Sequence, residues 1–316
     1  MNRRLFLCSL IFAVVAGLHP TLARSAQKDL NRSDHFPSAE GKVVTIDGAD
    51  LDISVRSADV PDIQVETELH IGGVGEEKGQ KWIDSHTPVF TDGAKALTVT
   101  VDADKIGFLG FGYLSAKARL SVLAPSRIVP DLTTTSGSIH VRGDFPDAAP
   151  LRLRTSTGDM EFVGVASSVD VHSASGDIEI EVVRPLEGFS VRTASGDVRL
   201  VGGTRKANVD TASGKIWLGD LSGSVEASTS TGKITLRWDR LDAGETVRIR
   251  SSSGAVQLEI PASARPAGTL TTTTGNVRSD FPGEVTEDGS SLRLTGDGPV
   301  FDVETASGEI QLTIRD

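Results

Sequence analysis

Nine times between residues 132 and 312 the chain repeats one short phrase: an apolar residue, Ser or Thr two positions on, a second Ser or Thr, a glycine, then two apolar residues one apart. VRTASGDVRL (191–200), VDTASGKIWL (209–218) and VETASGEIQL (303–312) are three copies. The glycines are Gly137, Gly158, Gly176, Gly196, Gly214, Gly232, Gly254, Gly275 and Gly308. In a straight strand side chains alternate between faces, so offsets −5, −3 and −1 from the glycine share a face. The apolar set nevertheless resumes at +2 and +4, as in Ile178 and Ile180, Ile216 and Leu218, or Ile310 and Leu312. The phase slips by one residue at every glycine, so the chain must turn a corner where a residue without Cβ takes φ > 0 at no steric cost. Offsets −3 and −1 are always Ser or Thr, which places small hydroxyls at each corner, able to hydrogen-bond along a ladder if the copies stack in register.

Two architectures accommodate the slip. In a parallel β-solenoid each copy is one coil and like residues stack in columns. In an antiparallel β-meander the glycine opens a two-residue hairpin turn, and each strand pairs with an unlike neighbour. Identity of the columns over nine copies favours the solenoid, because stacking rewards the same residue at the same corner. Glycine-to-glycine steps of 21, 18, 20, 18, 18, 22 and 21 residues suit coils of 18–22 residues, with length variation confined to one loop. The last interval, Gly275 to Gly308, is 33 residues and has room for a degenerate unit around SLRLTGDGPV (291–300). The final strand is then placed to close the array, with Arg315 and Asp316 blunting its edge.

An array grows by adding coils, so 316 residues need not divide into several cores. Apolar residues are 38%, aromatics 5% and glycines 33 in number, which suits a thin core of Val, Ile, Leu and Thr. The first residues read as a secretory leader: Arg3 and Arg4, an apolar run from Leu5 to Leu18, and a small-residue exit at Ala23-Arg24-Ser25. NRRLFL also resembles a twin-arginine export signal, but the very apolar run and short basic region favour the general secretory route. The formal charge of −11 becomes −14 once Arg3, Arg4 and Arg24 leave with the leader. That balance argues against nucleic acid as a partner and against simple attraction to anionic lipid. The single cysteine, Cys8, lies in the leader, so the mature chain has no disulfide, thiol nucleophile or thiolate metal site. No later segment approaches the ~18 apolar residues of a membrane span. The expectation is a soluble protein of the bacterial cell envelope, periplasmic or extracellular.

The chain divides into a signal peptide (1–25), a polar flexible segment (26–41), an N-terminal β region or cap with opening coils (42–130) and the repeat solenoid (131–316). Alternating stretches at 43–55, 63–69, 97–101 and 116–123 read as strands, and EEKGQKWIDSH (76–86) as one or two helical turns. Phrases such as RTASGDVRL and VHSASGDIEIEV resemble the bacterial "putative adhesin" family of β-strand repeats, well over 131–316 and more loosely over 42–130. The resemblance implies an exported or envelope-associated β-solenoid and supplies no catalytic residues to carry over.

Catalysis on a polysaccharide would need carboxylates converging on one face of the solenoid. Asp159, Glu161, Asp177, Glu179, Glu181 and Asp197 occupy outward offsets on neighbouring corners, and Asp159, Asp177, Glu179 and Asp197 are the candidates for holding a cation such as Ca²⁺. The same columns continue as Lys215, Lys233, Arg199, Trp217 and Thr235, which is the composition of a solvated face. His140 and His172 lack a second His or a Cys at ligand spacing, and no G-x-S-x-G elbow is present. No cofactor, metal or catalytic residue is therefore assigned. The outlier is GFLGFGYL (107–114), whose Phe108, Leu109, Phe111, Tyr113 and Leu114 suit either a cover over an open solenoid end or a contact loop for a partner. The function expected is a non-enzymatic envelope scaffold, adhesion or interaction surface for an unidentified protein or glycan; the alternative is a polysaccharide-active or glycan-binding β-helix.

Overall fold

A computed structural model describes residues 26–102, 115–148 and 150–315. The leader and the run from Gly107 to Leu114 lie outside the described residues. The first third comprises β1 (Ala26–Pro37), β2 (Val43–Asp47), β3 (Asp52–Ser57), β4 (Asp62–Val74), α1 (Glu76–His86), β5 (Val89–Asp92), β6 (Ala96–Thr100) and β7 (Ser115–Ala124). The repeats supply β8 (Val129–Thr134), β9 (Ile139–Phe145), β10 (Leu151–Thr157), β11 (Met160–Ala166), β12 (Ser168–Ser175), β13 (Ile178–Val182), β14 (Gly188–Ser195), β15 (Val198–Val201), β16 (Lys206–Ser213) and β17 (Ile216–Leu221). They continue as β18 (Ser224–Thr231), β19 (Ile234–Trp238), β20 (Thr246–Ser253), β21 (Val256–Pro261), β22 (Ala267–Thr274) and β23 (Val277–Ser279), followed by β24 (Gly283–Val285), β25 (Ser291–Thr295), β26 (Val300–Ser307) and β27 (Ile310–Arg315).

Each glycine separates two strands that go to different sheets. Strands arriving at a corner build a 14-stranded sheet B, strands leaving it build a 13-stranded sheet A, and successive coils stack in parallel. Register preserves the sequence columns: Val191 lies beside Val209 and Ile216 beside Ile234. The fold is thus a two-layer β-solenoid, and the parallel pairing rules out the meander for the repeat strands. The inner faces meet in one continuous core, in which Val171, Val191, Ile249, Ile180 and Leu218 are fully buried.

The corners explain the phase slip. Gly214 sits at φ +152°, and its N–H donates to Thr231 O of the next coil at 3.0 Å. A Cβ there would collide with the carbonyl oxygen of Gly196 in the preceding coil. Backbone packs directly on backbone down this column. The expected ladder of hydroxyls does not form as such. Offset −3 points inward and −1 outward, so the two sets lie on opposite sides of the chain; Thr193, Thr229 and Thr305 instead donate to the −1 carbonyl of their own coil at 3.1, 3.1 and 3.3 Å. Thr231 and Ser213 make a hydroxyl-to-hydroxyl contact between coils, at 3.2 Å.

Both ends break sequence order. The coil β2–β3 sits between β6–β7 and β8–β9, and the last coil, β26–β27, sits between β20–β21 and β22–β23. The final strand therefore does not close the array. The 33-residue interval lets the chain lay down β22–β23, return through antiparallel β24 and β25, and re-enter one coil further in. Residues 291–295 are this antiparallel return rather than a further coil. At the other end the stretch 43–55 is two strands: burial switches from Val44 and Ile46 to Leu51, Ile53 and Val55, a second kind of phase slip.

The segment 26–41, expected to be flexible, contains the twelve-residue strand β1, antiparallel to β4. Gln27, Asp29, Asn31, Ser33 and His35 are exposed, while Leu30 joins Trp82 in packing against Leu69, Ile71 and Ile83, which gives α1, β1 and β4 a small core of their own. Lys42, 2% exposed, ties this cap together by donating to Asp92 at 2.6 Å and to Pro37 O at 2.8 Å.

Gly214→Ala should destabilise the protein by ~1–3 kcal/mol or more, because backbone strain adds to the collision of its Cβ with the Gly196 carbonyl, and Gly214→Val by at least as much. Gly244→Ala should cost less, because φ is also positive there (+92°) but a Cβ meets nothing within 4 Å. Urea denaturation of the variants checks this; equal losses at both positions would show that coil-to-coil crowding is not the constraint.

Candidate functional site

The acidic corners have backbone partners. The Asp159 carboxylate accepts the N–H of Asp177 at 2.9 Å, Asp177 accepts that of Asp197 at 2.8 Å, and Asp197 accepts that of Lys215 at 2.8 Å. The column bridges successive coils one carboxylate at a time. Glu179 lies in the next column and faces Arg199 at 3.4 Å, while Glu161 is held by His140 at 3.1 Å and Arg142 at 2.8 Å. His172 pairs with Asp170 at 3.3 Å. Among the described residues no three His, Cys, Asp or Glu side chains gather into a metal-binding group.

Where carboxyl groups are shifted, they are shifted towards ionisation. Asp288 is lowered to about 2 because Thr286 Oγ1 and then the Ser290 N–H and hydroxyl donate to it in a surface turn. Asp302 is lowered chiefly by its hydrogen bond from Arg250, and Asp29 by His70. A general acid at neutral pH needs the opposite shift, so these groups are built to stay charged and hold turns and coils.

The outer face of sheet B carries a groove of about 710 Å³ crossing the coils from Thr193 on β14 to Thr273 on β22. Its lining includes offset −2, occupied here by Ala194, Ala212, Ser230, Ser252, Ala306 and Thr273. Asp210, Arg250 and Glu304, at offset −4, add charge. Sequence reading missed this surface, although the signal was present: offset −2 is Ala, Ser or Thr in all nine copies despite facing solvent. An outward position normally tolerates long polar side chains; uniform smallness leaves a channel beside the corners.

The outer face of sheet A differs. Trp217 projects from β17 with the guanidinium of Arg199 4.3 Å and that of Arg237 6.0 Å from its ring. Its indole lies across Gly219, so a side chain there would have to displace the ring. Lys215 and Lys233 stand exposed beside it, whereas the preceding coils carry Asp159, Asp177, Glu179 and Glu181.

A two-layer parallel β-solenoid with antiparallel caps is a repeat scaffold, and its chemistry resides on its outer faces. This chain belongs to the Toastrack DUF4097 family, whose model matches residues 48–313. Among solved structures it is similar to a "putative adhesin" from Bacteroides fragilis, with 16% identity, a TM-score of 0.38 and coverage of 90% of this chain and 97% of that one. It is also similar to a "putative lipid binding protein" from Parabacteroides distasonis, with 14% identity, a TM-score of 0.49 and coverage of 89% and 96%. No curated protein matches the chain. Among the described residues no helix is long and apolar enough to cross a membrane.

Arg250 and Asp302 join β20 to the intercalated last coil, so their pair should contribute to stability with a definite pH sign. Because the folded Asp302 is more acidic than an ordinary carboxyl, its contribution is present above the usual carboxyl pKa of ~3.9 and lost as pH falls through its lowered value. The side chain is 39% exposed, so the pair is worth only ~0.2–1 kcal/mol. Asp302→Asn should be less stable than wild type at pH 7, and the difference should vanish towards pH 2 in urea denaturation. A difference that persists at low pH would contradict this.

Proposed function

We propose that the protein is a non-enzymatic scaffold of the bacterial cell envelope that uses the groove on sheet B as its interaction surface. The observation that carries this reading is a solvent-facing channel of small side chains across consecutive coils, bordered by Asp210, Arg250 and Glu304. Such a channel admits an extended partner, a glycan chain or a polypeptide segment, and its Ser and Thr hydroxyls offer both donors and acceptors. Export is supported by the leader pattern of residues 1–25. A non-catalytic role is supported by carboxylates held on backbone N–H groups or in ion pairs and shifted, where shifted, towards ionisation.

Ala212→Trp with Ser230→Trp should fill the channel. The expected result is an unchanged melting temperature with at least tenfold lower recovery of ligands on a glycan array and in pull-downs from envelope extract. Full retention of binding by the folded variant would remove the groove from consideration.

A further inference from the structure

We propose that two copies of this chain associate through the outer face of sheet A, about a two-fold axis running along β15. The argument is the order of charge across the face. In the column immediately after each corner glycine the coils read Asp159, Asp177, Asp197, Lys215 and Lys233 in sequence. One column further along the strands, register places Glu161, Glu179, Arg199, Trp217 and Thr235 side by side. The face is acidic on β11 and β13, changes sign at β15, and is basic and aromatic on β17 and β19.

A two-fold axis parallel to the strands through β15 reverses the order of coils and leaves position along the strands unchanged. It sets β13 against β17 and β11 against β19 of the second copy. Asp177 then faces Lys215, Asp159 faces Lys233, and Glu179 faces Trp217 with its flanking Arg199, each contact occurring twice, as an isologous interface requires. One strand pair further out, Arg142 of β9 meets Glu259 of β21. The like charges on the axis are already neutralised within each chain, Arg199 by Glu179 and Asp197 by Lys215, both at 3.4 Å. Trp217, a type enriched at interface hot spots, supplies apolar contact in a chain with only three tryptophans. The facing charges are exposed, so the association is salt-sensitive and of the weak class, and it works against the net negative charge of each copy.

Sedimentation velocity of the purified protein tests this with two charge-reversed variants, Lys215→Glu/Lys233→Glu and Asp159→Lys/Asp177→Lys; all four side chains are exposed, and circular dichroism confirms folding. Wild type should sediment as a dimer near ~0.05 M salt and shift towards monomer near ~0.5 M. Each variant alone should be monomeric, because like charges then face each other. A one-to-one mixture should recover the dimer, because the introduced Lys at 159 and 177 then face the introduced Glu at 233 and 215 while the native Asp–Lys contacts remain on the other side of the axis. Wild type that stays monomeric throughout overturns the proposal, as does a mixture that fails to dimerise or a variant that dimerises as wild type does. Monomeric wild type that binds an anionic polysaccharide through Lys215 and Lys233 would assign the face to that ligand instead.

Discussion

The contact of a corner glycine with the carbonyl of the glycine one coil away, made by eight of the nine corner glycines, is the constraint on which the rest depends; Gly137, where the expected positive φ is not found, meets the Leu51 carbonyl instead. The contact sets backbone against backbone, so no side chain can stand there, and it holds neighbouring coils in register. Once the corner is placed, the phase slip follows: offsets −5 and −3 fill the core from sheet B, +2 and +4 from sheet A, and −2 and −1 face solvent. The two outer faces are then free to vary, and they have done so differently. Sheet B keeps a channel of small residues, whereas sheet A carries a graded charge pattern around Trp217.

A solenoid is weakest at its ends, where a terminal coil has a neighbour on one side only. Here both coils nearest the chain termini have neighbours on both sides. The outermost coils are β6–β7 and β22–β23, and three of the four sheet edges, β1, β5 and β24, are antiparallel strands, the fourth being the parallel strand β23. At the C-terminal end β23 and β24 have three residues each, and Asp280 accepts the Ile314 N–H that β23 is too short to reach, at 3.1 Å. Edge strands this short disfavour uncontrolled strand addition.

The repeat columns, the corners and the helix at 76–86 were legible in the sequence because each rests on local periodicity. Coil order was not. Whether the copy at 303–312 stacks before or after the one at 270–279 depends on loop reach and end protection, to which a repeat pattern is blind. Strand β1 was missed because its outward face is polar and its apolar contacts, Leu30 and Phe36, are sparse; its partners on β4 lie at least 25 residues away in sequence. The acidic corners were read correctly as outward, but their use as acceptors for the next coil's N–H groups appears only when the coils are stacked. The groove was missed because attention to the hydroxyl columns passed over the equally uniform column between them.

Hydrogen exchange at the corner glycine amides tests most directly whether the glycine column, rather than position in the chain, organises the stack. Gly308 lies eight residues from the C-terminus, yet its N–H donates to Thr274 O at 3.0 Å, with Gly254 beneath it and Gly275 outside it. The account predicts that its protection matches that of Gly214 and Gly232 within about tenfold. Exchange of Gly308 with the fast kinetics of a frayed terminus, ahead of the β22–β23 coil, would contradict it.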